Sequence, residues 1–89
     1  MNTIYKYACP IDDAVDIKLP AFAKVLTVAA QGPETFIWCA VDTDAPKQTR
    51  RFHWRETGHD ITSLSNYVGT VQLNEGRLVF HLFEGVTIV

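Results

Sequence analysis

The sequence has few of the features that mark the commoner functional classes of small proteins. It has no basic excess, because its 8 lysines and arginines are outnumbered by 10 aspartates and glutamates, and this argues against general nucleic-acid binding. It begins without the charged-then-apolar pattern of a signal peptide, and no apolar run is long enough to span a membrane. These absences predict a cytoplasmic protein that has no membrane partner.

Cysteine is also scarce, since Cys9 and Cys39 are the only two. In a reducing compartment two such thiols are expected to be free and buried. No base or cationic side chain close in sequence marks either one as a catalytic nucleophile. The three histidines, His53, His59 and His81, are not at zinc-finger spacing and form no His-Glu-x-x-His motif. The sequence therefore predicts a protein that is not an enzyme and that holds neither a metal nor a cofactor.

Helical periodicity is absent as well, and strand-like alternation takes its place. The clearest case is residues 13–19, where Val15, Ile17 and Leu19 alternate with polar neighbours. Turn signals separate such runs at spacings of about ten residues, which is typical of sandwiches and barrels. Strands are predicted over residues 3–9, 13–19, 24–31, 35–42, 49–56, 67–73 and 77–84, with one short helical turn near 62–66. Residues 1–89 should thus form a single all-β domain, a small antiparallel β-sandwich or partly closed barrel of about seven strands.

The hairpin over residues 67–84 is the stretch around which the other strands are expected to be arranged. Its two apolar runs flank a three-residue loop that ends at Gly76, a residue suited to the left-handed conformation. This loop places Gly69 opposite His81, so the imidazole ring is expected to fill the space beside the glycine. Both faces of the hairpin are largely apolar. The pattern therefore predicts a central position in the fold.

The strongest candidate for a binding site follows the predicted strand 49–56. Phe52 and Trp54 should face inward on that strand, whereas two arginines on the other face carry planar donors that suit phosphate or carboxylate. The strand leads into a Thr-Gly-His loop, and loops on a rigid β scaffold commonly carry function. The candidate ligand-binding residues are Arg51, Arg55, Thr57, Gly58 and His59. The alternative is that the arginines only protect an edge strand from pairing with another chain.

A resemblance extends over nearly the whole chain. Its most specific parts are the Thr57-Gly58-His59 loop and the hairpin from Tyr67-Val68-Gly69-Thr70 to His81-Leu82-Phe83-Glu84, and weaker matches are Lys6-Tyr7, Leu19-Pro20, Ala23-Lys24-Val25-Leu26, Trp38 and Ala40-Val41-Asp42. Together these segments resemble a family of short phage and prophage proteins of unassigned function. Members often carry proline after the Thr-Gly-His sequence, where this chain has Asp60. The resemblance implies a phage or prophage origin and a compact β domain, and it brings no catalytic residues.

The leading functional hypothesis is a non-enzymatic binding protein of phage type that acts in the host cytosol. It would sequester a small anionic, nucleotide-like ligand and so counter a host defence system. One alternative is a protein-capping inhibitor that binds a host factor through an edge strand or an apolar patch. Another is a minor structural protein of the virion. The limited core and the apolar tail 86–89 predict a homo-oligomer, most simply a two-fold dimer.

Overall fold

The computed structural model describes residues 1–88. Within this range the chain forms seven β-strands and no helix, which confirms the predicted all-β class. The strands are β1 (Asn2–Ala8), β2 (Val15–Pro20), β3 (Lys24–Gln31), β4 (Glu34–Asp42), β5 (Lys47–Glu56), β6 (Tyr67–Leu73) and β7 (Leu78–Ile88). The helical turn predicted near 62–66 is wrong. An isolated turn occupies this position, in which the backbone N–H of Leu64 donates to the carbonyl of Ile61 at 2.9 Å.

The strands form two antiparallel sheets that make up a small β-sandwich. One sheet has three strands in the order β1-β4-β3, and the other has four in the order β2-β5-β7-β6. Strands β3 and β6 pack against each other, so the two sheets approach closely along this side. The segment predicted as an apolar tail is mostly strand, because Thr87 and Ile88 of β7 pair with β5. Val89, the last residue of that predicted tail, lies outside the described residues.

The core is filled by the residues that alternation predicts to face inward. Val15, Ile17 and Leu19 of β2 are buried, and so are Phe52 and Trp54 of β5. Full burial of such a side chain contributes about 1.5–3 kcal/mol to the free energy of unfolding. The core is therefore the main source of stability for a chain of this size.

The two cysteines are free and buried, as predicted. Burial raises the pKa of the Cys9 thiol to about 12, although the indole of Trp54 opposes the rise. Burial likewise raises the pKa of the Cys39 thiol to about 11. Both side chains are therefore protonated at neutral pH and behave as small apolar residues.

The register of the β6–β7 hairpin differs from the prediction. Leu73 pairs with Leu78, which leaves four residues in the turn instead of three. The reason is that Asn74 and Glu75 adopt positive φ angles of 53° and 57°, in addition to Gly76 at 83°. The longer turn shifts the pairing by one residue, so that Thr70 and not Gly69 lies opposite His81.

Gly69 has a different role from the one predicted. A bulge between Tyr67 and Gly69 ends the shifted register. A Cβ atom at Gly69 would lie 2.8 Å from Cγ1 of Val28, so the absence of a side chain lets β6 approach β3. The prediction of a central hairpin is also wrong, since β6 is an edge strand of its sheet and β7 is the one strand of this hairpin that is paired on both sides.

Candidate functional site

A cavity of about 420 Å³ lies between the loop that follows β5 and the outer face of β6 and β7. Small-molecule sites in proteins usually enclose about 300–1,000 Å³, so this volume suits a compact ligand. Three of the lining residues, Ile61, Tyr67 and Phe83, are apolar or aromatic. The complete lining is Glu56, Thr57, Gly58, His59, Ile61, Tyr67, His81 and Phe83.

The apolar wall of the cavity is formed by two rings and one aliphatic side chain. Tyr67 and Phe83 face each other across β6 and β7 and pack edge to face, with ring centroids 5.6 Å apart. Phe83 is buried, whereas Tyr67 is 58% exposed and Ile61 is exposed in the loop. An aromatic surface of this kind, left open on one side, favours a planar ring as the ligand group beside it.

The polar side of the cavity is a series of hydrogen-bonded groups, the hydroxyl–imidazole chain, made of Thr57, His81, Thr70 and Tyr67. Oγ1 of Thr57 lies 2.8 Å from Nε2 of His81. Nδ1 of the same ring lies 2.8 Å from Oγ1 of Thr70, and the Thr70 hydroxyl contacts the hydroxyl of Tyr67. Both imidazole nitrogens are therefore paired, and the two ends of the chain, Thr57 and Tyr67, line the same cavity.

Backbone pairing holds this chain in place. Thr70 lies directly opposite His81 in the β6–β7 ladder, which brings the two side chains to the same face. The N–H of Thr57 donates to the carbonyl of Val79 at 3.2 Å and ties the start of the loop to β7. The polar groups thus belong to the rigid sheet and to the first residue beyond it.

Three of the five predicted site residues line the cavity together. Thr57, Gly58 and His59 form the loop side of its wall. Gly58 has a φ of 94°, which a residue with a side chain rarely adopts. Nε2 of His59 lies 3.9 Å from a carboxylate oxygen of Glu56, and its ring is largely exposed. The loop therefore presents a hydroxyl and an imidazole to the same space.

Arg51 is not among the residues that line the cavity. Its Nε and Nη2 atoms donate to the two carboxylate oxygens of Asp16 on the neighbouring strand, at 2.8 and 3.1 Å. This hydrogen-bonded pair lowers the pKa of Asp16 and raises the pKa of Arg51. The guanidinium donors that suit a phosphate are already engaged with a carboxylate on the same sheet face.

Arg55 also lies outside the lining of the cavity. Its Nη1 atom donates to the carbonyl of Asp13 at 3.0 Å and to the carbonyl of Trp54 at 2.7 Å. Its charge still reaches the loop, where the pKa of Asp60 is lowered mainly by hydrogen bonds from Thr62 and to a lesser extent by Arg55. Arg55 pairs with His81 in the β5–β7 ladder, so it lies beside a residue that lines the cavity.

The family described as Domain of unknown function (DUF7352) matches residues 1–88. The chain belongs to this family. No curated protein and no solved structure matches the chain at a significant level. The match to the DUF7352 family covers both sheets and every residue that lines the cavity.

Two further structural observations on this DUF7352 domain concern metal ligands and helix length. Among residues 1–88, no group of three or more histidine, cysteine, aspartate or glutamate side chains is arranged to hold a metal ion. Over the same part of the chain, none of the secondary structure is a helix of the length and apolarity that crossing a bilayer requires.

The half of the cavity that the DUF7352 domain builds from β6 and β7 was not predicted from the sequence. Tyr67, His81 and Phe83 lie far along the chain from the Thr-Gly-His loop, and only the strand pairing brings them beside it. The available signal was the alternation that places His81 and Phe83 on the outer face. It was obscured because the predicted hairpin register put a glycine opposite the histidine.

Proposed function

We propose that this protein is a non-enzymatic binding protein of phage type that sequesters a small anionic, nucleotide-like ligand. The observation that carries the proposal is the cavity of about 420 Å³, which has the Thr57–His59 loop on one side and the rings of Tyr67 and Phe83 on the other. The base-like ring of the ligand packs against the aromatic wall. Its polar edge meets the hydroxyl of Thr57.

The anionic part of the ligand lies at the rim of the cavity, toward the exposed imidazole of His59. Arg55 supports this arrangement because it lies opposite His81, which lines the cavity, in the β5–β7 ladder. A phosphate at this rim would take guanidinium donors from Arg55 in exchange for the carbonyls of Asp13 and Trp54. Arg51 contributes little, since its donors remain paired with Asp16.

Native mass spectrometry of protein purified from infected cells tests the proposal directly. We expect a retained mass that matches a nucleotide-like molecule. Calorimetric titration with nucleoside monophosphates should give saturable binding that Thr57→Val weakens, because the substitution removes a hydroxyl from the cavity and keeps the shape of the side chain. Thr87→Val on the exposed part of β7 is the matched control. A protein that retains no small molecule and binds no nucleotide would contradict the proposal.

A second candidate function, a protein-capping inhibitor, is favoured by one observation at the turn between β2 and β3. Phe22 is 95% exposed and adopts a positive φ of 64°. A left-handed conformation costs a residue with a side chain roughly 1–2 kcal/mol. The free chain therefore holds the Phe22 ring in solvent on a strained backbone. A partner protein that buries the ring would gain the free energy of removing this apolar surface from water.

The two candidate functions are separated by two substitutions at distant places. Phe22→Asn keeps a residue that tolerates the left-handed conformation and removes the exposed ring. If ligand capture is the function, Thr57→Val weakens the inhibition of the host defence system and Phe22→Asn leaves it intact. The opposite pattern would support capping.

We further propose that the protein acts in the cytoplasm of the host cell, as a counter-defence factor, and that it forms a homo-oligomer, most simply a two-fold dimer. The exposed apolar residues Phe22 and Ile4 support self-association, because burial between copies would remove them from water. Sedimentation at roughly tens of micromolar tests this state. A monomer at that concentration would contradict it.

A further inference from the structure

We infer that β1 is a self-complementary edge through which two copies of this chain pair antiparallel, with Tyr5 of each copy on the two-fold axis. The inference rests on the proposed homo-oligomer, since it names the surface and the register of that dimer. It follows from the direction of the backbone groups along β1 and from a comparison of the four strands that end the two sheets.

The backbone groups of β1 alternate between those that bond to β4 and those that are free. The carbonyl of Met1 accepts from the N–H of Thr43 at 2.9 Å, and the N–H of Cys9 donates to the carbonyl of Thr35 at 2.9 Å. The register between these two contacts is continuous, so the odd-numbered residues bond to β4. The N–H and C=O groups of the even-numbered residues therefore point to the open edge. These exposed residues are Asn2, Ile4, Lys6 and Ala8.

The other three edges have features that discourage pairing with another chain. The N–H of Ala21 donates to the carbonyl of Pro46, so by the same alternation the free groups of β2 belong to Asp16, Lys18 and Pro20. Two of these residues are charged, and proline has no N–H to donate. Strands β3 and β6 each contain a bulge and pack against each other. Among the sheet edges of residues 1–88, β1 alone is regular, open and free of proline.

The single charged side chain of β1 does not block its edge. Nζ of Lys6 donates to Oε1 of Gln31 on β3 at 3.0 Å, and it lies 4.5 Å from the centre of the Phe36 ring on β4. Both contacts are on strands that follow β1 in the order β1-β4-β3. The side chain thus extends over its own sheet and away from the open edge, where a second copy can approach.

One register uses every free backbone group of this edge. A two-fold axis at Tyr5 places Asn2 opposite the partner's Ala8, and Ile4 opposite the partner's Lys6. Four residue pairs then exchange two hydrogen bonds each, about eight in all, whereas a typical interface between proteins has about ten. The two ammonium groups stay apart, because each Lys6 faces an isoleucine. The three-stranded sheets of the two copies join into one sheet of six strands.

The side chains beside the axis also favour this arrangement. Tyr5 is 45% exposed and Ile4 is 57% exposed, so both leave apolar surface in water in the monomer. On the axis the two Tyr5 residues form a non-hydrogen-bonded pair, in which opposing side chains lie closest. Aromatic pairs across strands stabilise a sheet. Association would therefore bury apolar surface and pair the free backbone groups in the same step.

Cysteine cross-linking tests the register. In the proposed pairing the Cα atoms of the two residues at position 5 are about 4.5 Å apart, which a disulfide can span. Thr3 faces the partner's Tyr7, so the two residues at position 3 are about 14 Å apart. We expect Tyr5→Cys to form a covalent dimer under mild oxidation and Thr3→Cys to remain a single chain. The wild-type protein, in which Cys9 and Cys39 are buried, gives the background.

Two results of this experiment would overturn the inference. One is that neither variant cross-links. The other is that Thr3→Cys cross-links as readily as Tyr5→Cys, which would show a different register or random collision.

Sedimentation of two variants at Ile4 tests the contribution of the backbone. Ile4→Pro removes an N–H that β4 does not use, so the monomer should fold with a nearly unchanged melting temperature. It removes two hydrogen bonds from the symmetric interface and should weaken the dimer about a hundredfold. Ile4→Thr is the matched control, because it keeps the N–H and the β-branched shape, and it should weaken the dimer only about fivefold. Equal losses would show that apolar contact alone holds the copies together, and this result would overturn the inference.

The same measurements distinguish failure of the interface from failure of the proposals before it. A wild-type protein that sediments as a monomer at roughly tens of micromolar overturns both the proposed homo-oligomer and this interface. A wild-type dimer that Ile4→Pro leaves intact overturns the interface alone. Positions 3, 4 and 5 do not line the cavity of about 420 Å³, so nucleotide binding by the variants should equal that of the wild type.

Discussion

The outer faces of the two sheets contain similar residue types but differ in what covers them. On the three-stranded sheet, Phe36 and Trp38 pack edge to face at 6.3 Å, and Nζ of Lys6 lies 4.5 Å from the centre of the Phe36 ring. On the four-stranded sheet, Tyr67 and Phe83 form an equivalent pair at 5.6 Å. The difference is the loop between β5 and β6, whose residues line a cavity together with the second pair.

The loop supplies the second wall that turns the aromatic surface of the sheet into a cavity. An aromatic pair on a flat strand surface is open to solvent and gives a ligand contact on one side only. The loop adds a second wall with Thr57 and His59 opposite Phe83. The loop thus provides both a concave surface and hydrogen-bonding groups beside the aromatic pair, and small-molecule sites commonly have both.

The largest effect should come from removing one ring from each face. We expect Phe83→Ala to lower the free energy of unfolding by about 3 kcal/mol, because the side chain is only 7% exposed and its loss leaves a void under the loop. Phe36→Ala should cost about 1 kcal/mol, since that ring is half-buried and its neighbours can adjust. Urea denaturation measures both values. Equal costs would show that the loop gives Phe83 no additional packing.

Arg50 and Arg51 are adjacent on β5, and their side chains allow the interior of the sandwich to be compared with the outer face of the sheet. Nη1 of Arg50 donates to Glu84 at 2.6 Å and to the carbonyl of Ala23 at 2.8 Å, and little of the pair is exposed. We expect Arg50→Ala to destabilise the fold by about 2 kcal/mol, because it leaves the carboxylate of Glu84 without its partner. Arg51→Ala should shift the melting temperature only slightly, since its pair with Asp16 is solvent-exposed. A large shift for Arg51→Ala would assign it a structural role.

Arg55→Ala addresses the rim of the cavity. It should weaken binding of a nucleotide about tenfold, the loss of one charge-assisted contact, and leave the melting temperature nearly unchanged. The parallel measurement on Arg51→Ala should show no loss of binding, because Arg51 is turned toward Asp16. If Arg55→Ala lowers the melting temperature by many degrees, its bond to the Asp13 carbonyl is the main role of the residue.

The smallest effect should be on the stability of the fold at low pH. Hydrogen bonding to Arg51 lowers the folded-state pKa of Asp16, and the bonds from Thr62 lower that of Asp60. A lowered pKa means stability that is present above the ordinary aspartate range, near about pH 4, and is lost as the pH falls through the folded-state value. Melting temperatures recorded from pH 6 downward should therefore decline less steeply for Asp16→Asn than for wild type. Identical slopes would show that the pair does not contribute.

The strands were predictable where buried and exposed residues alternate, as in β2, or where turn residues mark the strand ends, as in β3. Residues 24–31 were predicted with the bounds that β3 has, and the alternation in β2 identified its buried side chains. The end of β7 was not predicted, because residues 86–89 were interpreted as an apolar tail. A Cβ atom at Gly85 would lie 2.6 Å from the carbonyl oxygen of Arg51, so the glycine permits the close approach of β7 to β5 at a bulge.

The candidate site was predictable only where its residues are contiguous. Thr57, Gly58 and His59 follow one another in sequence, and any fold that exposes the loop brings them together. The partners on β6 and β7 depend on a register that the turn sets. That turn contains Asn74 and Glu75 in left-handed conformations, which are uncommon for a residue such as glutamate.

Because the two thiols are buried, the rate at which they are chemically labelled reports how often the folded chain opens. Cys9 and Cys39 are inaccessible to solvent, and both are protonated at neutral pH in the folded state. An alkylating reagent can therefore modify them only during excursions in which the sheets separate. The rate of labelling at neutral pH then measures the free energy of those excursions without any denaturant. A ligand that binds in the cavity should slow this labelling by a factor that increases with its affinity for the folded state.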